Sequence, residues 1–193
     1  DSPMSRGLGD VYKRQDWVRT DLNHQLPNGA FALKYNHLHV CAFENFILKS
    51  KTAKKRYSSK EIHTSKKILQ KMNSSDLKKL KMSLLGGLAA NDRKYTIKDL
   101  NYEIDQFAEL NHSDLQNNLK DFIEEIYPII KKYNIHYNIH PDDPPYNVYG
   151  LPRIVSNEKD INFIVNIKKD TNVGLTFCTA VSYTHLRAHE TSE

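Results

Sequence analysis

His140 and Cys178 are the residues whose types and placement are best suited to chemistry. The run Ile135-His136-Tyr137-Asn138-Ile139 alternates apolar and polar side chains, the pattern of a strand with one buried face. Ile135, Tyr137 and Ile139 then point one way, and His136, Asn138 and His140 the other, with His140 last. Val173 to Cys178 repeats the pattern: Val173, Leu175 and Phe177 share one face, and Gly174, Thr176 and Cys178 the other. Parallel α/β folds keep their reactive groups at the carboxyl ends of strands. Imidazole and thiolate together form a donor pair that borderline divalent metals accept. The plainer alternative is that each is an ordinary strand-end residue.

The elements around them must bring these ends together. Ser156 or Asn157 can cap a helix reaching about Lys169 and buried through Ile161, Ile164, Val165 and Ile167. A helix between two strands lets them lie parallel as neighbours. Pro141, Pro144 and Pro145 stiffen the loop after His140 by fixing φ and removing backbone donors. Upstream, Asp114 to Lys132 predicts the strongest helix, with Leu115, Leu119, Phe122, Ile123, Ile126 and Ile130 on one face and Pro128 bending it. Ser58 with Glu61, and Thr96 with Asp99, have capping-box spacing. Tyr95 can staple onto Leu100, in the stripe Leu100, Ile104 and Phe107. Ser75 is expected to cap a helix carrying Leu77, Leu80, Leu84 and Leu85 and ending at Gly86-Gly87. A further helix is expected over His37–Leu48, a turn at Leu26-Pro27-Asn28-Gly29, and a basic solvated loop over Lys49–Arg56. Strand, loop, helix, strand is an α/β order.

Composition narrows the function classes. The chain has 193 residues, and Lys+Arg exceed Asp+Glu by 28 to 23, a mild +5 spread along the sequence. Without a basic and aromatic recognition motif, that excess reads as a solvated lysine-rich surface and not as a nucleic-acid footprint. No apolar run has the length of a membrane span, and no secretory signal is expected. Cys41 and Cys178 are too far apart in sequence to suggest a disulfide framework, so a cytoplasmic setting is expected. Residues 1–15 and 181–193 lack apolar periodicity and resemble translated sequencing-adapter read-through, so they are set aside. The remaining segment, 16–180, is expected to be an internal piece of a larger protein. Within it, 16–95 reads as a helical insertion serving as a lid, and 96–180 as barrel helices and strands.

His140-Pro141-Asp142-Asp143-Pro144-Pro145, followed by Gly150-Leu151-Pro152-Arg153-Ile154-Val155-Ser156, resembles the mannonate dehydratase family. Asp16-Trp17-Val18-Arg19-Thr20-Asp21-Leu22, Leu26-Pro27-Asn28-Gly29 and Phe177-Cys178-Thr179 are similar to further stretches of that family. The resemblance runs over essentially all of 16–180. It implies part of a (β/α)8 TIM barrel of the xylose-isomerase-like kind, with a helical insertion. It implies a lyase that dehydrates D-mannonate to 2-keto-3-deoxy-D-gluconate, using Mn²⁺ or Fe²⁺. The metal ligands carried over are His140 and Cys178. The other ligands and the general acid and base are expected downstream, so the segment alone is expected to be inactive. Thr184-His185-Leu186-Arg187 repeats a family histidine motif but begins only six positions after Cys178, too few for a parallel crossover, so no role is carried to His185.

A sugar acid brings a carboxylate and a C2 proton that is acidic only if the developing negative charge is stabilised, which a divalent cation can do. Arg19 and Arg153 are the candidates to hold the carboxylate, against ordinary ion pairing as the alternative. Asp142 could orient His140 through its other ring nitrogen, or cap the loop. A sugar isomerase or epimerase on the same barrel, or a non-catalytic binding module, are the competing functions. A homo-oligomer is left open.

Overall fold

The computed structural model describes residues 18–86 and 96–178. Helices and strands are mixed, in two units. One holds the described residues up to Ala108 together with Val148–Gly150; the other holds Glu109–Asn147 and the described residues from Leu151 to Cys178. Both terminal stretches set aside above, Tyr95 and Gly87 lie outside the described residues.

The first unit opens with a hairpin, β1 (Asp21–Gln25) and β2 (Phe31–Lys34), paired antiparallel with an irregularity between Asp21 and His24. The Leu26–Gly29 turn joins them: Gly29 donates to the Leu26 carbonyl at 2.9 Å and adopts φ +84°, a region glycine enters without a Cβ clash. The turn was legible and the strands were not. Phe31 is 62% exposed and Leu33 41%, so no buried face shapes the alternation.

Helix α1 (His37–Ala42), capped by the Asn36 side chain on the His39 N–H, runs straight into a π-helical turn over Phe43–Ile47. Leu48 N–H bonds five residues back to the Phe43 carbonyl at 2.8 Å. The widened turn buries both Phe43 and Glu44. The expected basic loop instead contains the short helix α2 (Ala53–Arg56), whose Ala53 is fully buried and whose Arg56 pairs with Glu44. Helix α3 (Ser59–Lys71) starts at the expected Ser58–Glu61 capping box. Helix α4 (Ser74–Gly86) begins two residues earlier than expected, because Asn73, not Ser75, caps it on the Asp76 N–H at 2.9 Å. Helix α5 (Ile97–Phe107) has the expected Thr96–Asp99 box. The core joins Val18, Val40, Phe43, Leu48, Leu80, Leu84 and Leu100 with Val148 and Tyr149.

In the second unit, helix α6 (His112–Lys132) starts two residues before the expected Asp114, because Asn111 and Asp114 form a further capping box. It runs through Pro128 and buries Ile123 and Ile130. Asn134, at φ +50°, closes it: Asn134 N–H bonds to Lys131 O, and Ile135 N–H to Ile130 O. This left-handed cap turns the chain directly into β3 (Tyr137–Ile139). Asn157 caps α7 (Glu158–Ile167), and β4 (Val173–Leu175) follows. β3 and β4 are parallel, Tyr137 opposite Val173, Asn138 opposite Gly174 and Ile139 opposite Leu175. Each is shorter than the alternation suggested. The expected apolar face holds only in part: Ile139 and Val173 are buried and the Tyr137 ring lies 6.1 Å from that of Phe122, but Ile135 and Phe177, outside the paired residues, are exposed.

Candidate metal and substrate site

β3 delivers His140 and β4 leads to Cys178. Ile139 goes into the core, and the next side chain, His140, is exposed. Its Nδ1 lies 2.9 Å from the Pro141 carbonyl oxygen. A carbonyl only accepts, so Nδ1 is the donor in this contact, which leaves Nε2 as the acceptor nitrogen of the neutral tautomer. That tautomer is the one a metal-binding imidazole uses, with a backbone carbonyl orienting the ring.

The ladder extends one bond beyond β4, from Thr176 N–H to the Ile139 carbonyl at 2.8 Å. The chain then bends: Cys178 N–H bonds back to the Thr176 carbonyl at 3.1 Å. Cys178 therefore sits on a tight turn just past the strand rather than as its last extended residue, and its thiol is free and half-buried. Beneath this end, a Cβ on Gly174 would lie 3.0 Å from Asn138 Oδ1, so the glycine makes room for its neighbour's amide. Among the described residues no group of three or more His, Cys, Asp or Glu side chains gathers as a metal cluster. His140 and Cys178 are side chains of types that a divalent metal accepts as donors.

Asp142 is fully buried. Its Oδ2 accepts from Ile154 N–H at 3.0 Å, Val155 N–H at 2.7 Å and the Ser156 hydroxyl at 3.1 Å. Its own N–H donates to the Val155 carbonyl. Of the two roles left open for Asp142, the contacts are those of a loop cap, while Nδ1 of His140 is engaged by Pro141. Arg153 has a side chain only 1% exposed, with Nη1 3.6 Å from Asp142 Oδ1. Its N–H donates to Asn147 Oδ1 at 3.0 Å, closing the segment between them. Arg19, in the first unit, is 8% exposed, and its Nη1 donates to the Val18 carbonyl.

Two buried carboxylates escaped the sequence reading. Asp160 accepts from His112 Nε2 at 2.8 Å, Gln116 Nε2 at 3.1 Å, Ser156 N–H at 3.0 Å and Asn157 Nδ2 at 2.8 Å. Its signal was the Asn157-x-x-Asp160 spacing at a helix start. Glu44, 1% exposed, accepts from Arg56, from the Tyr57 hydroxyl at 3.0 Å and from Tyr149 N–H at 3.2 Å. Burial, and then the Glu44 charge, push the Tyr57 hydroxyl well above its ordinary range, so it stays a donor.

Comparison with known families decides the family. The family model described as D-mannonate dehydratase (UxuA) matches residues 11–190. The chain belongs to the mannonate dehydratase family. The match takes in part of both terminal stretches, including His185, which lies outside the described residues. Curated mannonate dehydratases from Marinomonas sp., Saccharophagus degradans and Chromohalobacter salexigens are 36%, 31% and 32% identical over 85%, 84% and 85% of this chain. The aligned part is 42%, 41% and 42% of those relatives, so the chain spans about two fifths of a mannonate dehydratase. The crystal structure of mannonate dehydratase from Streptococcus suis serotype 2 is similar at a TM-score of 0.51 and 25% identity, over 87% of this chain and 33% of that one. Among the described residues, no helix is long and apolar enough to cross a membrane.

Proposed function

We propose that this chain is a segment of an enzyme that dehydrates D-mannonate to 2-keto-3-deoxy-D-gluconate. The observation that carries the proposal is the parallel pairing of β3 with β4 in a chain of this family, which brings the segments bearing His140 and Cys178 to neighbouring strand ends. The two strands and α7 between them are one β-α-β unit, and we assign it to a xylose-isomerase-like (β/α)8 barrel whose other strands lie beyond this segment. His140, through Nε2, and Cys178 are the ligands this segment contributes to a Mn²⁺ or Fe²⁺ site. When bound, such a cation supplies Lewis-acid stabilisation of the negative charge that develops when the C2 proton leaves.

The remaining residues hold the site. Pro141 O fixes the His140 tautomer. Asp142 ties the chain just past His140 to Ile154, Val155 and Ser156. Arg19 and Arg153 are the cations proposed for the substrate carboxylate. Arg153 is engaged with Asp142, so direct contact requires that pair to open. Until it opens, Arg153 serves the substrate by shaping the loop. Two free cysteines agree with a reducing, cytoplasmic setting.

The test is turnover. The full-length enzyme carrying this segment, supplied with Mn²⁺ or Fe²⁺, should convert D-mannonate to a keto-deoxy acid, while the 193-residue chain alone should not. Turnover by the short chain would show that it already holds every essential group. Isomerised or epimerised sugar acid in place of the keto-deoxy product would move the assignment to the competing reaction class.

A further inference from the structure

β3 and β4 pair over only three residues each. So short a ladder offers little side-chain pattern to set its register, and a slip by one residue would turn every side chain of one strand to the opposite face. A slip by two would restore the faces but shift one strand end past the other by about 6.6 Å. That is about three times the length of a metal–ligand bond. His140 and Cys178 lie just past these ends, so the register decides whether the two can meet.

Asn172, the residue before β4, fastens that register from the other end of the pair. It is buried, at 4% exposure. Its backbone carbonyl accepts from Tyr137 N–H at 2.8 Å, the first rung of the ladder. Its side-chain Nδ2 donates to the Ile135 carbonyl at 3.0 Å and to Asn134 Oδ1 at 3.3 Å. A carbonyl only accepts, so the amide nitrogen is the end that faces Ile135. Asn134 is the left-handed residue that ends α6. One side chain thus grips the exit from α6, while the same residue's backbone opens the pairing with β3. The chain on either side of this grip is held as well. Asp170 accepts from Asn172 N–H at 2.9 Å through Oδ1 and from the Tyr127 hydroxyl of α6 at 2.6 Å through Oδ2. The Thr171 carbonyl accepts from His136 Nδ1 at 2.9 Å. All of these residues belong to the second unit.

We propose that Asn172 is a positioning residue for the His140–Cys178 pair, its side chain locking β4 in register with β3 and so setting the two strand ends level. The metal part of this proposal rests on the assignment of His140 and Cys178 as ligands; the register lock does not.

The test uses the full-length enzyme with two variants and a control. Asn172→Asp puts an acceptor where the Ile135 carbonyl needs a donor. Asn172→Ala deletes the grip without adding a charge and serves if the first variant fails to fold. In each, hydrogen exchange at the Tyr137 and Thr176 amides should quicken by about tenfold or more relative to the amides in the middle of α6. The Kd for Mn²⁺ should rise by about tenfold or more, as for the loss of a group that orients a ligand. With Co²⁺ as the probe, the thiolate-to-metal charge-transfer band per bound ion should fall toward that of Cys178→Ala. The control, Ile164→Ala, destabilises the same β-α-β unit from its helix and should leave both the Mn²⁺ Kd and the band within about twofold. A merely structural role would make the Asn172 variants behave like this control, because partial unfolding lowers the amount of binding protein and not the affinity of what remains folded. Unchanged exchange at Tyr137 and Thr176 would overturn the lock. Faster exchange with the Mn²⁺ Kd and the band per bound Co²⁺ unchanged would overturn the positioning role. A wild-type enzyme that shows no Cys178-dependent band would overturn the ligand assignment and the positioning role with it, and the exchange measurement would still decide the lock.

Discussion

Arg153 Nη1 lies 3.6 Å from Asp142 Oδ1, with 1% and 0% of the two side chains exposed. A charge pair so deeply buried is held mainly by the bonds around it, because desolvation consumes much of the Coulomb gain. Asp142 has those bonds in Ile154, Val155 and Ser156.

The pair therefore has an asymmetric mutational signature. Arg153→Met alone leaves a buried carboxylate without its cation and should cost about 3–5 kcal/mol in the full-length enzyme. Adding Asp142→Asn should recover a large part, since no ion is then left alone. Chemical denaturation of the wild type, the two single variants and the double variant measures the coupling directly.

The cap of α3 should give stability a pH signature. The Ser58 hydroxyl and N–H, then His37, hold the Glu61 carboxyl below its ordinary 4.5. A carboxyl whose folded-state pKa is depressed adds stability above its unfolded value and loses it as pH falls through the folded value. Ser58→Ala should cost about 1 kcal/mol at pH 7. The gap from wild type should narrow as pH drops below 4.5, read from thermal melts at both ends. The site is exposed, so salt should weaken the His37 part.

Ile123 and Ile164 are both fully buried in the second unit. Truncating either to Ala should cost about 2–5 kcal/mol through lost burial and the cavity left behind. Urea titration of the full-length enzyme checks it. Ile161→Ala, at a side chain 40% exposed on the same helix as Ile164, should cost far less.

What the sequence disclosed was local. Capping boxes at Ser58–Glu61 and Thr96–Asp99 are read from four consecutive residues, and both formed. The buried face of β3 was legible because Tyr137 and Ile139 meet a core that alternation reflects. The β1–β2 hairpin stayed hidden because Phe31 and Leu33 remain in solvent. Cys178 was read as an extended strand residue, and only the bond from its N–H to Thr176 reveals the bend. Glu44 was illegible for a different reason. A glutamate in a helix reads as a surface residue, and its burial depends on a π-helical turn and a backbone donor 105 positions away.

The central proposal is that His140 and Cys178 hold the catalytic metal. The direct measurement is bound Mn²⁺ or Fe²⁺ per chain, with D-mannonate turnover, in the full-length enzyme and in its His140→Ala and Cys178→Ala variants. The prediction is near-stoichiometric metal and active wild type, with metal content and turnover lost together in each variant while the fold survives. Variants that keep a full metal load, or a fully loaded parent that leaves D-mannonate untouched, would contradict it.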